Sequence, residues 1–287
     1  MYTLIFGCGY LGQRVAARYL SDGQIIKGLV RSQLSSDQLK TQGITPLIAD
    51  LDRDTLPDLS MPGSRLFYFV PPVARGDIDL RVATICSEFK RQGSPQRLVY
   101  LSTTGVYGDC AGDWVDESRL PAPVVPRALR RWSAEQSLRA WSQESGNDLV
   151  ILRVAGFYGP GKLPLERLCR GLPMVRKEEA PFSNRIHVDD LVRVCVAAME
   201  RGRSGEIYNV SDGHPTSMTD YFDRLADLAG LARPPKISLK EAQQQLSPGM
   251  LSYMRESRRL RNGKILDELG IGLEYPDLAT GLPACFP

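Results

Sequence analysis

Short apolar runs alternate along this chain with longer stretches whose apolar residues recur at helical spacing. The opening run, residues 2–6, is rich in β-branched and aromatic residues and predicts a strand, and residues 13–20 predict the helix after it. The alternation continues, with strands predicted at 25–30, 44–48, 65–70, 96–101, 148–153 and 206–210, and helices at 35–42, 78–92, 133–145, 188–201 and 218–228. Strands that alternate with helices are typical of an α/β protein with a doubly wound parallel sheet.

Three glycines stand between the first predicted strand and its helix, in the pattern G-x-G-x-x-G. Gly7 permits a tight turn, Gly9 places no side chain in front of an anion, and Gly12 lets the helix pack closely on the strand. The helix N-terminus adds free N–H groups and the positive end of a dipole. The alternative is a turn that only shapes the corner between strand and helix. We expect a Rossmann-type fold that binds the pyrophosphate of a dinucleotide through Gly7, Cys8, Gly9, Tyr10, Leu11 and Gly12.

The residues that follow the next strands predict which dinucleotide is bound. An acidic residue after the second strand favours the free ribose hydroxyl of NAD, whereas a basic residue there accommodates the 2′-phosphate of NADP. This chain has Arg31 and Ser32 at that position, so we expect NADP rather than NAD. The expected further contacts are Asp50 and Leu51 at the adenine, and Val70, Pro71 and Pro72 along the middle of the cofactor.

The regular alternation of strands and helices breaks at Gly156, where loops rich in glycine and proline begin. We therefore expect a dinucleotide-binding domain over residues 1–155. Residues 156–287 are predicted to form a smaller C-terminal substrate lobe, interleaved with late elements of the main sheet.

Composition narrows the classes of function further. The formal net charge of the 287 residues is +3, which is too small to indicate a nucleic-acid partner. Six cysteines are scattered without the spacing of a zinc site or a disulfide framework, so we expect free thiols, no metal and a cytoplasmic location. No apolar run approaches the length of a membrane span, so we expect no membrane partner.

Five later segments form an ordered set of motifs over the rest of the chain. They are Leu101-Ser-Thr-Thr-Gly-Val-Tyr-Gly108, Leu152-Arg-Val-Ala-Gly-Phe-Tyr-Gly-Pro-Gly161, Ile186-His-Val-Asp-Asp-Leu191, Glu206-Ile-Tyr-Asn-Val-Ser211, and Arg258-Arg-Leu-Arg-Asn-Gly-Lys264 followed by Leu269-Gly270. In these segments the chain resembles the extended short-chain dehydrogenase/reductase superfamily, the NAD(P)-dependent epimerase/dehydratase group. The resemblance implies a nicotinamide cofactor, a small-molecule substrate and a homodimer formed through two helices.

Two residues on which the chemistry of that superfamily depends are replaced here. The resemblance implies a Ser or Thr before the V-Y-G tyrosine, which maps to Thr103, and a Y-x-x-x-K on the following helix. In the superfamily that lysine is followed four residues later by a glutamate, and Glu135 matches it. The resemblance therefore places Arg131 at the lysine position and Arg127 at the tyrosine position. Because arginine stays protonated, Arg127 cannot be a general base. Arg127 can act as a fixed cation, Arg131 can hold the nicotinamide ribose or a phosphate, and Thr103 is expected within reach of the substrate or the nicotinamide.

Tyrosines and other polar residues near these motifs provide alternatives for the missing groups. Tyr107 and Tyr158 are candidate proton donors, although in the superfamily the tyrosine that matches Tyr107 shapes the pocket. We expect His187 to cap the helix after it, and Arg153 to form a structural or pocket-orienting ion pair.

Two functions remain open. The first is an NADP-dependent, epimerase/dehydratase-like oxidoreductase that acts on a small carbonyl substrate, nucleotide-linked or anionic. The second is a non-catalytic dinucleotide-binding protein, a redox sensor or scaffold on the same fold, because both the Tyr and the Lys are lost and fold alone does not carry function.

Overall fold

The computed structural model describes residues 2–53 and 56–286. In chain order, its strands are β1 (Thr3–Phe6), β2 (Ile26–Val30), β3 (Thr45–Ile48), β4 (Arg65–Tyr68), β5 (Arg97–Thr103), β6 (Trp114–Val115), β7 (Asp148–Val154), β8 (Gly156–Tyr158), β9 (Met174–Val175), β10 (Phe182–Ser183), β11 (Arg185–His187), β12 (Ile207–Val210), β13 (Thr216–Ser217), β14 (Lys236–Ile237) and β15 (Arg259–Leu260).

The α-helices are α1 (Tyr10–Ser21), α2 (Gln33–Thr41), α3 (Leu80–Gln92), α4 (Pro126–Ser145), α5 (Leu165–Cys169), α6 (Val188–Arg201), α7 (Met218–Leu228), α8 (Leu239–Gln245), α9 (Pro248–Met254), α10 (Gly263–Asp267) and α11 (Leu278–Gly281). Short 3₁₀ turns lie at Thr104–Tyr107, Lys177–Glu179 and Pro283–Cys285. Across the two described ranges, none of the helices is both long enough and apolar enough to span a bilayer.

Seven strands form one parallel sheet in the order β12-β7-β5-β4-β1-β2-β3, which confirms the predicted fold class. Parallel neighbours need long crossover connections, and the helices between the strands supply them. Successive residues point to opposite faces of the sheet, so Ile5 packs in the core with α1 and α6, while Leu4 packs with α3 and α4. Helices therefore cover both faces, and the carboxyl ends of the strands remain as the edge where a site can form.

Helix α4 begins at Pro126, not at Ser133 as the periodicity indicates. Proline is favoured at the first helical position, where its missing N–H costs no hydrogen bond. The first turns carry arginines where apolar residues would be expected. Arg130 is buried, and its guanidinium donates to the Gly76 carbonyl at 2.6 Å. Because the buried side of these turns carries arginine and not a run of apolar residues, the hydrophobic periodicity does not predict them.

The residues after Gly156 build a lobe around their own apolar cluster and also return to the main sheet. Tyr158, Tyr221 and Leu225 belong to the lobe cluster. Strand β12, by contrast, pairs with β7, and α6 packs against α1. Residues after Gly156 thus pack in a cluster of their own and also extend the main sheet, and the domain division at residue 155 stays a prediction.

A buried ion pair joins α4 to β7 beneath the edge of the sheet. Arg153 donates to Glu135 at 2.8 Å, and the two side chains are 1% and 0% exposed. The Ser102 hydroxyl also donates to Glu135, at 2.5 Å. Arg153 thus forms the expected structural ion pair, and it holds the middle of α4 against the ends of β5 and β7.

Replacing Arg153 by Met should lower the free energy of unfolding by about 3–5 kcal/mol, because the Glu135 carboxylate would stay buried without a compensating positive charge. The matched control is Arg233→Met, which breaks an exposed pair with Asp227 at 2.7 Å and should cost about 1 kcal/mol or less. Urea denaturation measures both. Equal losses in the two variants would contradict the importance of the buried pair.

Candidate functional site

The glycine turn between β1 and α1 has two packed positions and one bare position. Gly7 has φ +81°, and a Cβ there would lie 2.8 Å from the Val70 nitrogen. A Cβ at Gly12 would lie 3.0 Å from the Ile5 Cγ2 atom, so the helix packs directly on its strand. A Cβ at Gly9 would meet no heavy atom within 4 Å. The turn therefore presents uncovered backbone at Gly9, as the approach of a pyrophosphate requires.

The N-terminus of α1 next to Gly9 is free of side-chain caps and acidic residues. Within the described chain, no protein acceptor receives the N–H of Tyr10, Leu11 or Gly12, the groups that the first turn of a helix leaves unpaired. The N–H of Cys8 behaves differently from the one predicted. It donates to the Leu29 carbonyl at 3.2 Å, so it is not available to an anion. An anion at this turn would therefore accept hydrogen bonds from the free N–H groups of the helix, so the residues of the turn fit a pyrophosphate.

A cavity of about 590 Å³ opens at this turn, and we call it the glycine-turn cavity. Most of the predicted cofactor residues line it: Gly7, Cys8, Gly9, Arg31, Ser32, Asp50, Leu51, Val70 and Pro71. Its lining also includes residues that sequence reasoning missed, Gln13, Ser35, Gln38 and Arg81. Leu11 and Gly12 are instead buried, and the Tyr10 hydroxyl donates to the Pro160 carbonyl at 2.9 Å. The Cys8 thiol is buried as well, and burial raises its pKa to about 12.

The two arginines of the glycine-turn cavity differ in what they contact. Arg81 donates to both carboxylate oxygens of Asp52, at 2.7 and 2.5 Å, and to the Pro71 carbonyl. Arg31 is exposed and forms no ion pair with any described residue. Ser32 lies beside it as the N-cap of α2. Arg31 is therefore the guanidinium at this rim that remains available to a ligand.

A second cavity, of about 500 Å³, lies at the carboxyl ends of the central strands, and we call it the strand-end cavity. Pro72 lines it, directly after Pro71 of the glycine-turn cavity, so the two cavities meet at this dipeptide. Thr103, Arg127 and Arg131 also line it, as the motifs predict. The opposite wall comes from the lobe and the C-terminal segment.

Thr103 and Arg131 stand where the two cavities meet. The Thr103 hydroxyl accepts the N–H of Gly105 at 3.2 Å, so its own proton is free to be donated into the cavity. Arg131 donates to the Val70 carbonyl and to the Tyr100 hydroxyl, both at 3.2 Å. Arg131 is therefore fixed beside the segment predicted to run along the middle of the cofactor.

Arg127, which the motif comparison predicts at the tyrosine position, contacts the C-terminal segment. Its guanidinium donates to the Ser252 hydroxyl, lies 4.1 Å from the centre of the Tyr253 ring, and is 3.9 Å from the Glu256 carboxylate. These three contacts hold α9 and the residues after it against the start of α4. Arg127 thus closes one wall of the cavity as well as placing a positive charge in it.

The two tyrosines considered as proton donors are held by protein contacts. Tyr107 is 1% exposed, does not line the strand-end cavity, and donates to the Asn209 side chain at 2.7 Å. Burial raises its pKa to about 12. Tyr158 lines the cavity but is 2% exposed, and burial raises its pKa well above the usual value. These positions correct the expectation that Tyr107 acts at the reacting centre and give it the role of a packed support.

His187 caps α6 as expected, because its ring accepts the N–H of Asp189 at 3.3 Å. Burial lowers its pKa, which keeps the ring neutral and suits an acceptor. It does not line either of the two cavities.

Sequence reasoning missed three charged residues of the strand-end cavity, Arg185, Glu256 and Arg258. Arg185 donates to the Asn184 carbonyl at 3.0 Å and lies 4.8 Å from the centre of the Tyr221 ring, with no carboxylate within 4.0 Å among the described residues. Burial lowers the pKa of this guanidinium. Arg258 belongs to a motif of the C-terminal segment, but only the fold shows that it reaches the site.

The fold and the two joined cavities define a Rossmann-type α/β protein with a dinucleotide-binding turn. The sequence model of the NAD dependent epimerase/dehydratase family matches residues 74–211. Residues 74–211 therefore carry the domain of this family.

Other comparisons extend the similarity over nearly the whole chain. Protein YeeZ of Escherichia coli is 25% identical over 285 residues, which cover 95% of this chain and 96% of YeeZ. A conserved protein of unknown function from Silicibacter pomeroyi is 32% identical, with a TM-score of 0.87 over 99% of this chain and 98% of its own. UDP-glucuronic acid 4-epimerase from Bacillus cereus, solved with NAD, shares the fold at 18% identity, with a TM-score of 0.78 over 99% and 97% of the two chains.

Gly9→Ala should lower the affinity for NADPH by tenfold or more, about 1.4 kcal/mol, without changing the melting temperature. The added methyl group meets open space in the protein but stands where the pyrophosphate would approach. Gly7→Ala is the comparison: it forces a left-handed backbone and a contact with Val70, so it should lower the melting temperature. Fluorescence titration and thermal unfolding separate the two effects. Unchanged NADPH affinity in Gly9→Ala would argue against a pyrophosphate at this turn.

Proposed function

We propose that the protein is an NADP-dependent oxidoreductase of the epimerase/dehydratase type whose substrate is a small anionic molecule with a carbonyl or secondary alcohol group, such as a nucleotide-linked sugar. The observation that carries this proposal is the charge of the strand-end cavity. Four arginines line it, against one carboxylate. Such a cavity attracts a negatively charged ligand, and it adjoins a turn that fits a dinucleotide.

The choice of NADP rests on Arg31 and its neighbours. The 2′-phosphate of NADP would meet the free guanidinium of Arg31 together with the hydroxyls of Ser32 and Ser35, which line the same cavity. A charge-assisted hydrogen bond is worth roughly 1.5–3 kcal/mol, or about tenfold to hundredfold in affinity. The solved structure with NAD, at 18% identity, shows the fold alone. The choice between NADP and NAD is therefore argued from the residues of the present chain.

Arg31→Ala should reduce NADPH affinity about tenfold to hundredfold and leave NADH affinity nearly unchanged, because only the phosphate contact is lost. Lys40→Ala removes the same charge at the other end of α2, where Lys40 pairs with Asp37, and should change neither affinity. Parallel fluorescence titrations with NADPH and NADH measure both variants. A wild-type protein that prefers NADH would contradict the NADP assignment.

Within the strand-end cavity, we propose separate roles for three groups. The Thr103 hydroxyl donates a hydrogen bond to the oxygen of the substrate. Arg131 holds the nicotinamide ribose, because it is fixed beside Val70 at the junction of the two cavities. Arg185 anchors the anionic part of the substrate, because its remaining N–H groups have no protein acceptor among the described residues. Arg185 is half-buried, and a partly desolvated guanidinium without a carboxylate is stabilised when an anion binds.

The second candidate, a non-catalytic dinucleotide sensor, is favoured by one observation. Arg127 occupies the tyrosine position and is bound to Ser252 and Tyr253 of the C-terminal segment. A residue used to hold that segment would not need to take part in chemistry. Both candidates predict tight NADPH binding, so turnover is what separates them.

We further propose a cytoplasmic location, in keeping with six cysteines that are all free. The family resemblance also implies a homodimer formed through two helices. Ile78 and Leu80, just before and at the start of α3, are 60% and 61% exposed and would suit such a contact.

UDP-glucuronic acid is a suitable probe of the anionic site, and Arg185→Gln should weaken its binding about tenfold to hundredfold through the loss of a charge-assisted contact. Arg176→Gln is the matched control, because Arg176 is exposed near the lobe surface and pairs with Glu179. Calorimetry in the presence of NADPH measures binding, and absorbance of the reduced nicotinamide measures turnover with NADP⁺.

Binding of the probe without turnover, by wild-type protein and across a panel of nucleotide sugars, would favour the sensor. No binding of any member of the panel would contradict the proposed substrate class.

A further inference from the structure

An oxidation or reduction at the strand-end cavity needs a group that takes up and returns a proton, and the usual tyrosine is absent. The arginines cannot serve, because they do not lose their protons. Burial raises the pKa of Tyr221 to about 12 and that of Tyr158 well above its usual value. The third tyrosine of the lining, Tyr253, packs its ring against the Arg127 guanidinium at 4.1 Å. Among the described residues of the lining, one carboxylate remains, that of Glu256.

Glu256 is buried in the cavity wall with one oxygen bound and one oxygen free. It is 5% exposed. Its Oε2 atom accepts two N–H groups of Arg258, at 3.0 and 3.1 Å, and lies 3.9 Å from the Arg127 guanidinium. Its Oε1 atom has no hydrogen-bond partner in the described structure. A buried acceptor without a donor costs free energy of folding. A hydrogen-bond donor from a ligand, or a proton, would satisfy Oε1.

The position of Glu256 relative to the motif residues is set by Arg127. The start of α4 lies against the turn after β5, because a Cβ on Gly105 would be 3.6 Å from the Ala128 Cβ and 3.5 Å from the Thr103 hydroxyl. Arg127, the neighbour of Ala128, occupies the tyrosine position and reaches Glu256. The carboxylate therefore lies next to the residue that replaced the tyrosine, on the same cavity as Thr103.

We propose that Glu256 is the catalytic proton acceptor and donor of this site, a role that rests on the proposed function. In the oxidation of a secondary alcohol, the C–H hydrogen leaves with both bonding electrons to an oxidised nicotinamide dinucleotide. The O–H bond breaks and its proton passes to Oε1 of Glu256, while the carbon–oxygen bond becomes a carbonyl. Reduction runs the same transfers in reverse. Arg127 and Arg258 position the carboxylate with its free oxygen available.

A crystal structure of the full chain with NADPH tests the geometry without a substrate. Reacting atoms must approach to about 3–3.5 Å and a general base to about 2.6–3.2 Å of the proton-bearing atom, so the Glu256 carboxylate must lie within about 7 Å of the reactive C4 atom of the nicotinamide. A longer separation, with NADPH bound at the glycine turn, overturns the role of Glu256 and leaves the proposed function standing. Failure of NADPH to bind at all overturns both.

Glu256→Gln tests the chemistry, because it keeps the shape and removes the proton acceptor. Turnover of a nucleotide sugar by wild-type protein should fall about 10²- to 10⁴-fold in this variant, with unchanged NADPH affinity. Glu274→Gln alters an exposed carboxylate that lies 3.7 Å from Arg193, outside the cavity, and should retain full turnover. Turnover of Glu256→Gln within threefold of wild type would overturn the proposal. If wild-type protein turns over no probe, the NADPH-bound distance decides.

Discussion

The close contact between the glycine turn and the chain after β4 is the constraint on which the rest of the site depends. Because Gly7 has no side chain, its backbone can press against Val70, and α1 then starts directly above the β1–β4 junction. The sheet order places this junction where successive connections leave in opposite directions, and a crevice opens there at the carboxyl ends of the strands. The same contact carries the chain into Pro71 and Pro72, which join the two cavities. The proposed dinucleotide site and the proposed substrate site therefore both depend on the close backbone contact between Gly7 and Val70.

Two arginines of α4, which the motif comparison predicts at the tyrosine and lysine positions of the superfamily, set what this edge of the sheet can do. Arg131 retains the positive charge of the lysine and is fixed by the Val70 carbonyl and the Tyr100 hydroxyl. Arg127 cannot exchange protons, but its length allows it to reach the C-terminal segment, which a tyrosine would not bind through a charge. Through Arg127, α4 thus holds one wall of the cavity and the buried carboxylate of Glu256.

Much of the fold and the cofactor turn could be predicted from the sequence, because both depend on local signals. The apolar runs of the sheet strands and the spacing of Gly7, Gly9 and Gly12 lie within short windows. The start of α4 was not predictable, because buried arginines replaced its apolar face. Arg185 and Glu256 were not predictable either, because they join Thr103 only through long-range packing of the lobe and the C-terminal segment. The availability of Cys8 was misjudged for a similar reason, since its N–H is taken by the Leu29 carbonyl of β2.

The charge of the strand-end cavity constrains function whichever chemistry the protein performs. A guanidinium that is removed from water must find an acceptor, and Arg258 finds the single carboxylate of the described lining whereas Arg185 finds a backbone carbonyl. The cavity therefore keeps unmet donors, and an anion that binds there contributes more stabilisation than a neutral molecule of the same shape. An enzyme would use that anion to orient a reacting carbon, and a sensor would use it to report occupancy. The same charges would serve an enzyme and a sensor. What separates these two functions is whether a proton can be transferred at the reacting atom, and in our proposal that transfer depends on the carboxylate of Glu256.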